Sequence, residues 1–204
     1  DGTWTKMGSP NQMLQGSNFG QSISADGDLN GDGLNDLVIG NTGTLQDSSG
    51  YSSVEVRYGS NTGFESNPDR SYQSISPNTL FGYQVQIVND LNNDGYDELF
   101  VSEPYNSSGL FHSGDVWVFY GNLSGEAATP EYRMNGDAND LLGLNFASAG
   151  DTNDDGFNDM FITRNGGFDQ GKVELILGSA ELIDDSSYFV AGGPSSFGHA
   201  ISNY

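Results

Sequence analysis

Oxygen-bearing side chains recur at fixed spacing in three acidic loops, DLNGDGLND at 28–36, DLNNDGYDE at 90–98 and DTNDDGFND at 151–159. In each loop the first, third, fifth and ninth residues offer oxygen, and a glycine follows the fifth. The sets are Asp28, Asn30, Asp32 and Asp36; Asp90, Asn92, Asp94 and Glu98; and Asp151, Asn153, Asp155 and Asp159. With the backbone carbonyl of the seventh residue (Leu34, Tyr96 or Phe157), each loop supplies most of the oxygens that Ca²⁺ prefers. Mg²⁺ demands rigid octahedral geometry and keeps its waters, and softer metals want His or Cys, which these loops lack. One DxNxDG stretch also reads as a solvated turn, because Asp, Asn and Gly favour turns for local reasons. Three copies with the same slots filled point instead to three Ca²⁺ sites.

An EF-hand loop begins alike but carries a bidentate Glu at its twelfth position. Here that position holds Ile39, Val101 and Ile162, inside the apolar runs DLVIG, ELFVS and DMFIT. Short runs rich in β-branched and aromatic residues read as buried strands rather than exiting helices.

The loops belong to a longer period, 62 residues from Asp28 to Asp90 and 61 from Asp90 to Asp151. Nine residues before each loop stands a marker, Phe19-Gly20, Phe81-Gly82 and Leu142-Gly143, with Phe197-Gly198 as a fourth. After each apolar run comes an alternating one, VEVRYG at 54–59, VWVFYG at 116–121 and VELILG at 173–178, and then a polar stretch with an aromatic: RSYQSI, EYRM and SSYFV. An N-terminal equivalent of that last stretch is expected at Thr3-Trp4-Thr5. Four strand-like segments per repeat is the arithmetic of a propeller blade. A β-sandwich would not require such a period.

These residues resemble the FG-GAP repeats of integrin α-subunit β-propellers and their bacterial relatives. The Phe-Gly markers match the FG element, and the acidic loops match the family's calcium loop slot by slot. The Gly-Ala-Pro element has drifted to Gly40-Asn41-Thr42, Ser102-Glu103-Pro104 and Thr163-Arg164-Asn165. The resemblance implies an all-β propeller of four-stranded blades, with calcium between the first and second strands of each blade. It also implies an integrin-like surface for adhesion. The repeats run over about 19–80, 81–141 and 142–196, with a partial one at 197–204, in a single propeller domain or fragment. Propellers usually have 4 to 8 blades, so the expectation is a piece of a longer propeller, or a ring completed by association through bare strand edges.

Composition narrows the function. The chain has 204 residues and a net charge of −22, which disfavours nucleic acid and anionic membrane surfaces as partners. Nine of the 28 acidic residues fill the ligand slots, and three Ca²⁺ at two charges each take −22 only to −16. No cysteine occurs, so there is neither a disulfide framework nor a thiol nucleophile. No run approaches the 18 apolar residues of a membrane-spanning helix, and the N-terminus has no signal-peptide core. Low-affinity calcium modules work where the ion is millimolar, so an extracellular, secreted or cell-surface setting is expected.

Catalytic signatures are thin. Two histidines, His112 and His199, form no triad by spacing, and there is no glycine-rich phosphate loop. The loops at 41–52, 103–114 and 164–171 differ in length while the strands around them keep register, which is where repeat scaffolds place recognition. Tyr51, Tyr105, Phe111 and Phe168 there suit a protein or carbohydrate ligand. The expected function is a non-enzymatic, calcium-stabilised adhesion or protein-interaction module. The alternatives are a lectin-like propeller and the propeller portion of a secreted polysaccharide-degrading enzyme.

Overall fold

Each repeat folds as one antiparallel sheet whose strands follow chain order. The computed structural model describes residues 19–43, 51–106, 110–122, 130, 132–165 and 171–193. The first sheet holds β1 (Phe19–Gly27), β2 (Asp36–Asn41), β3 (Ser53–Arg57) and β4 (Arg70–Gln73). The second holds β5 (Val85–Val88), β6 (Glu98–Glu103), β7 (Asp115–Phe119) and β8 (Tyr132–Asn135). The third holds β9 (Phe146–Gly150), β10 (Asp159–Arg164), β11 (Gly171–Ser179) and β12 (Leu182–Gly193). The described residues contain no helix, and the chain is all-β, built as blades of a partial propeller. The expected strand near Trp4, the marker Phe197-Gly198, and Phe168 and His199 lie outside the described residues.

Side chains alternate across a strand, and this alternation builds two cores between three blades. Val38, Val54, Val56 and Tyr72 of the first blade pack with Val85, Ile87, Leu99, Val101, Trp117 and Phe119 of the second. The opposite face of the second blade, with Phe100, Val116 and Val118, packs on Phe146, Met160, Ile162 and Ile176 of the third. The middle blade is thus covered on both faces, and every residue of β6 and β7 is buried. Inner strands lie side by side: the backbone N–H groups of Val85 and Ile87 on β5 donate to Ser22 Oγ (2.9 Å) and Ser24 Oγ (3.0 Å) on β1. Those serines satisfy a strand edge that would otherwise be buried unpaired.

The Phe-Gly marker serves the preceding blade. Phe81 sits in the core between blades one and two, and Leu142 sits in the core between blades two and three, its N–H donating to the Ser113 carbonyl of the second repeat at 3.0 Å. Gly82 and Gly143 have φ of +82° and +81°, which disfavours any side chain. A Cβ on Gly143 would also come within 2.4 Å of Val116 Cγ2, and one on Gly82 within 2.9 Å of Val54 Cγ2. Glycine is required there by both conformation and space.

Candidate metal centre in the acidic loops

Antiparallel order places each acidic loop at the turn between the first and second strands of its blade. The loops joining second to third strands therefore lie at the opposite end. The ninth residue of each acidic loop, Asp36, Glu98 or Asp159, opens the second strand and is wholly buried.

All three loops share one internal scaffold. The first Asp accepts the N–H of the fifth residue and, through its other oxygen, that of the glycine: Asp28 from Asp32 (3.2 Å) and Gly33 (2.6 Å). Asp90 does so from Asp94 (3.1 Å) and Gly95 (2.9 Å), and Asp151 from Asp155 (3.1 Å) and Gly156 (2.9 Å). The Asn at position three accepts the fifth N–H through Oδ1 and donates its own amide to the fifth carboxylate, at 3.0, 3.1 and 2.8 Å in successive loops. The fifth Asp then accepts the N–H of Leu34, Tyr96 or Phe157, at 2.8, 3.0 and 2.9 Å. The glycines run at φ of +83°, +92° and +93°, the tight left-handed turn their position predicts.

The ninth position separates the middle loop from the others. Asp36 accepts from the N–H of Leu29 (2.7 Å) through one oxygen and from that of Gly59 (2.8 Å) through the other. Asp159 accepts from the Thr152 N–H (2.8 Å) and hydroxyl through Oδ2, and from the Gly178 N–H (3.0 Å) through Oδ1. Glu98 is one methylene longer. Its Oε2 accepts the Leu91 N–H (2.7 Å), whereas its buried Oε1 has no hydrogen-bond partner. Burial pushes the Glu98 carboxyl up to about 8, opposed by the Leu91 N–H and reinforced by the charges of Asp94, Asp90 and Asp97. Asp36 is raised less, to about 6: burial raises it, the Gly59 and Leu29 N–H groups lower it, and Asp28 and Asp32 add repulsion.

Among the described residues, Asp90, Asp94 and Glu98 form a group of carboxylates that each place an oxygen within 4.8 Å of the others. A buried carboxylate with one oxygen lacking a donor, grouped with two further carboxylates, is a donor set that suits a hard cation. In the flanking loops the equivalent slots are present, but the ninth aspartates spend both oxygens on backbone N–H groups.

Of the loop aromatics, Tyr51, Tyr105 and Phe111 are exposed. His112 stacks on Phe111 with ring centroids 3.8 Å apart and meets Tyr105 edge-on at 5.1 Å, making an aromatic cluster at the end of the middle blade away from the acidic loops. Sequence reasoning left out the eighth loop position. Asp97 bonds to two loops at once, and aligning Asn35, Asp97 and Asn158 shows it as the acid among amides.

Blades of this topology, each with an acidic loop between its first and second strands, define a class of propeller repeats. Residues 19–54 and 81–119 match the FG-GAP repeat family, so the chain carries FG-GAP repeats over those residues. The third repeat, with Leu142 in place of Phe, lies outside the matched ranges although it forms the same sheet. Human integrin alpha-7 is 26% identical over 151 residues, covering 72% of this chain and 12% of that protein. Integrin alpha-PS5 of Drosophila melanogaster is 29% identical over 155 residues (72% and 15%), and chicken (Gallus gallus) integrin alpha-6 is 31% identical over 129 residues (60% and 12%). The chain therefore spans only 12–15% of the length of these relatives.

Proposed function

We propose that this chain is a calcium-stabilised, non-catalytic adhesion or protein-interaction module of integrin α-like type, working outside the cell as part of a larger propeller. The observation that carries the calcium reading is the unpartnered Oε1 of buried Glu98 beside Asp90 and Asp94. In the middle site Asp90, Asn92, Asp94 and Glu98 would hold the ion with the Tyr96 carbonyl. The corresponding residues would serve the first loop (Asp28, Asn30, Asp32, Leu34, Asp36) and the third (Asp151, Asn153, Asp155, Phe157, Asp159). A bound Ca²⁺ supplies positive charge to carboxylates that otherwise repel one another and fixes the hairpin bend of each blade. Kinship with integrin alpha subunits and the exposed Tyr105–His112–Phe111 cluster support protein recognition at the opposite end. The test is binding to arrays of extracellular proteins and of glycans in millimolar calcium, with Tyr105→Ala/Phe111→Ala as comparison. Protein binding lost in the variant supports the reading. Calcium-dependent glycan binding alone would replace it with a lectin.

A further inference from the structure

We propose that Asp97 is a positioning residue that couples the first and second acidic loops, so that ion binding at one strengthens binding at the other. The proposal rests on the calcium reading above. Asp97 Oδ1 accepts the backbone N–H of Asp90 at 3.0 Å, and Oδ2 accepts that of Asp28 at 2.7 Å. One carboxylate thereby holds the backbone of the first ligand residue of two successive loops. The Asp97 N–H returns a bond to the Asp28 carbonyl at 3.1 Å, and the next connection along the interface, Asn122 N–H to the Leu29 carbonyl, is 2.7 Å. A Cβ added to Gly27 would stand 2.3 Å from Ile87 Cγ2 and 2.6 Å from Asp97 Oδ2, so glycine at the end of β1 leaves room for both.

The chain path explains how binding is transmitted. Asp97 lies between Tyr96 and Glu98, two candidate ligands of the second loop, so drawing both toward an ion fixes Asp97 between them. Its carboxylate then fixes Asp28, and part of the ordering cost of the first loop has already been met. The link from third loop to second is weaker in kind, made by neutral amides: Asn158 Nδ2 donates to the Asp90 carbonyl (3.3 Å) and Asn93 Nδ2 to the Gly156 carbonyl (2.6 Å). Charge-assisted bonds are about twice as strong as neutral ones, so coupling concentrates on the first pair.

The Gly33 and Gly95 amides, each bonded to the first Asp of its loop, report the two sites separately by NMR during calcium titration. In the native chain, disabling the second loop with Asp94→Ala shifts the Gly33 midpoint to higher calcium by about fivefold or more. In an Asp97→Asn background the same substitution leaves the Gly33 midpoint in place. A Gly33 midpoint indifferent to Asp94→Ala, or moved equally in both backgrounds, overturns the proposal. Should Asp97→Asn fail to fold, the reciprocal experiment decides: Asp32→Ala must weaken the Gly95 site by the same factor, since coupling is symmetric, and a one-sided effect overturns the coupling. If no glycine amide responds to calcium, the calcium reading itself fails and the coupling falls with it.

Discussion

The middle repeat and its two neighbours carry the same nine-residue loop with the same internal hydrogen bonds, yet they differ in two respects. The middle blade is packed on both faces, and its loop closes with Glu98 where the others close with aspartate. Burial is nil-exposure at all three closing carboxylates. Glu98, one methylene longer, leaves one oxygen without a partner, while Asp36 and Asp159 satisfy both of theirs. The flanking loops are self-sufficient as folded turns, whereas the middle loop stores an unmet demand for positive charge.

The largest expected effect tests the packing half of that contrast. Phe100→Ala removes a fully buried ring between blades two and three and should cost about 3–5 kcal/mol. Phe64→Ala, at a ring 47% exposed in the first repeat, should cost about 0.5 kcal/mol or less; chemical denaturation of both variants measures the difference. Calcium comes next. A site filled at a hundredfold excess over its dissociation constant contributes about 2.7 kcal/mol, so millimolar calcium against a chelator should move the melting temperature upward by roughly 5–10 °C per filled site.

Glu98→Gln should invert between conditions. Without calcium the folded chain must keep Glu98 protonated at neutral pH, and Gln removes that cost and stabilises the chain by about 1–3 kcal/mol; with calcium it weakens the middle site and the melting gain shrinks. Asp36→Asn, by contrast, places an amide opposite backbone donors and should destabilise under both conditions. Equal responses of the two variants would erase the distinction between the loops.

The smallest effect is on pH. In the calcium-free chain Glu98 and Asp36 are raised to about 8 and about 6, so their protonated forms favour folding. That contribution is complete below the ordinary carboxylate range and is lost as pH rises through 6 and then 8. The calcium-free melting temperature should therefore fall from pH 6 to pH 9. Saturating calcium, which needs the carboxylates ionised, should flatten or reverse the slope.

Much of this was legible in the residues because each feature has a local cause. Period-two patterning gave the strands, DxNxDG gave the turns, and the 61-residue repeat gave the blades. The pairing of oxygens was not legible. Asp36, Glu98 and Asp159 occupy the same slot, and whether the second oxygen finds Gly59 or Gly178, or nothing, depends on backbone that arrives from another strand. The role of Asp97 was hidden for a similar reason, since its second partner, Asp28, lies 69 residues away. The marker's surroundings were not legible either: Phe81-Gly82 reads as the opening of its own repeat, and Phe81 lies in the core that repeat shares with the one before.

That displaced marker sets where the chain can be divided. Cutting just ahead of Phe81 would remove its ring from the core it shares with Val54 and Tyr72, so a first blade prepared alone must carry its successor's opening residues through Gly82. The same offset means that swapping blades between relatives transplants a junction along with the sheet, and chimaeras joined at the repeat boundary inherit mismatched seams.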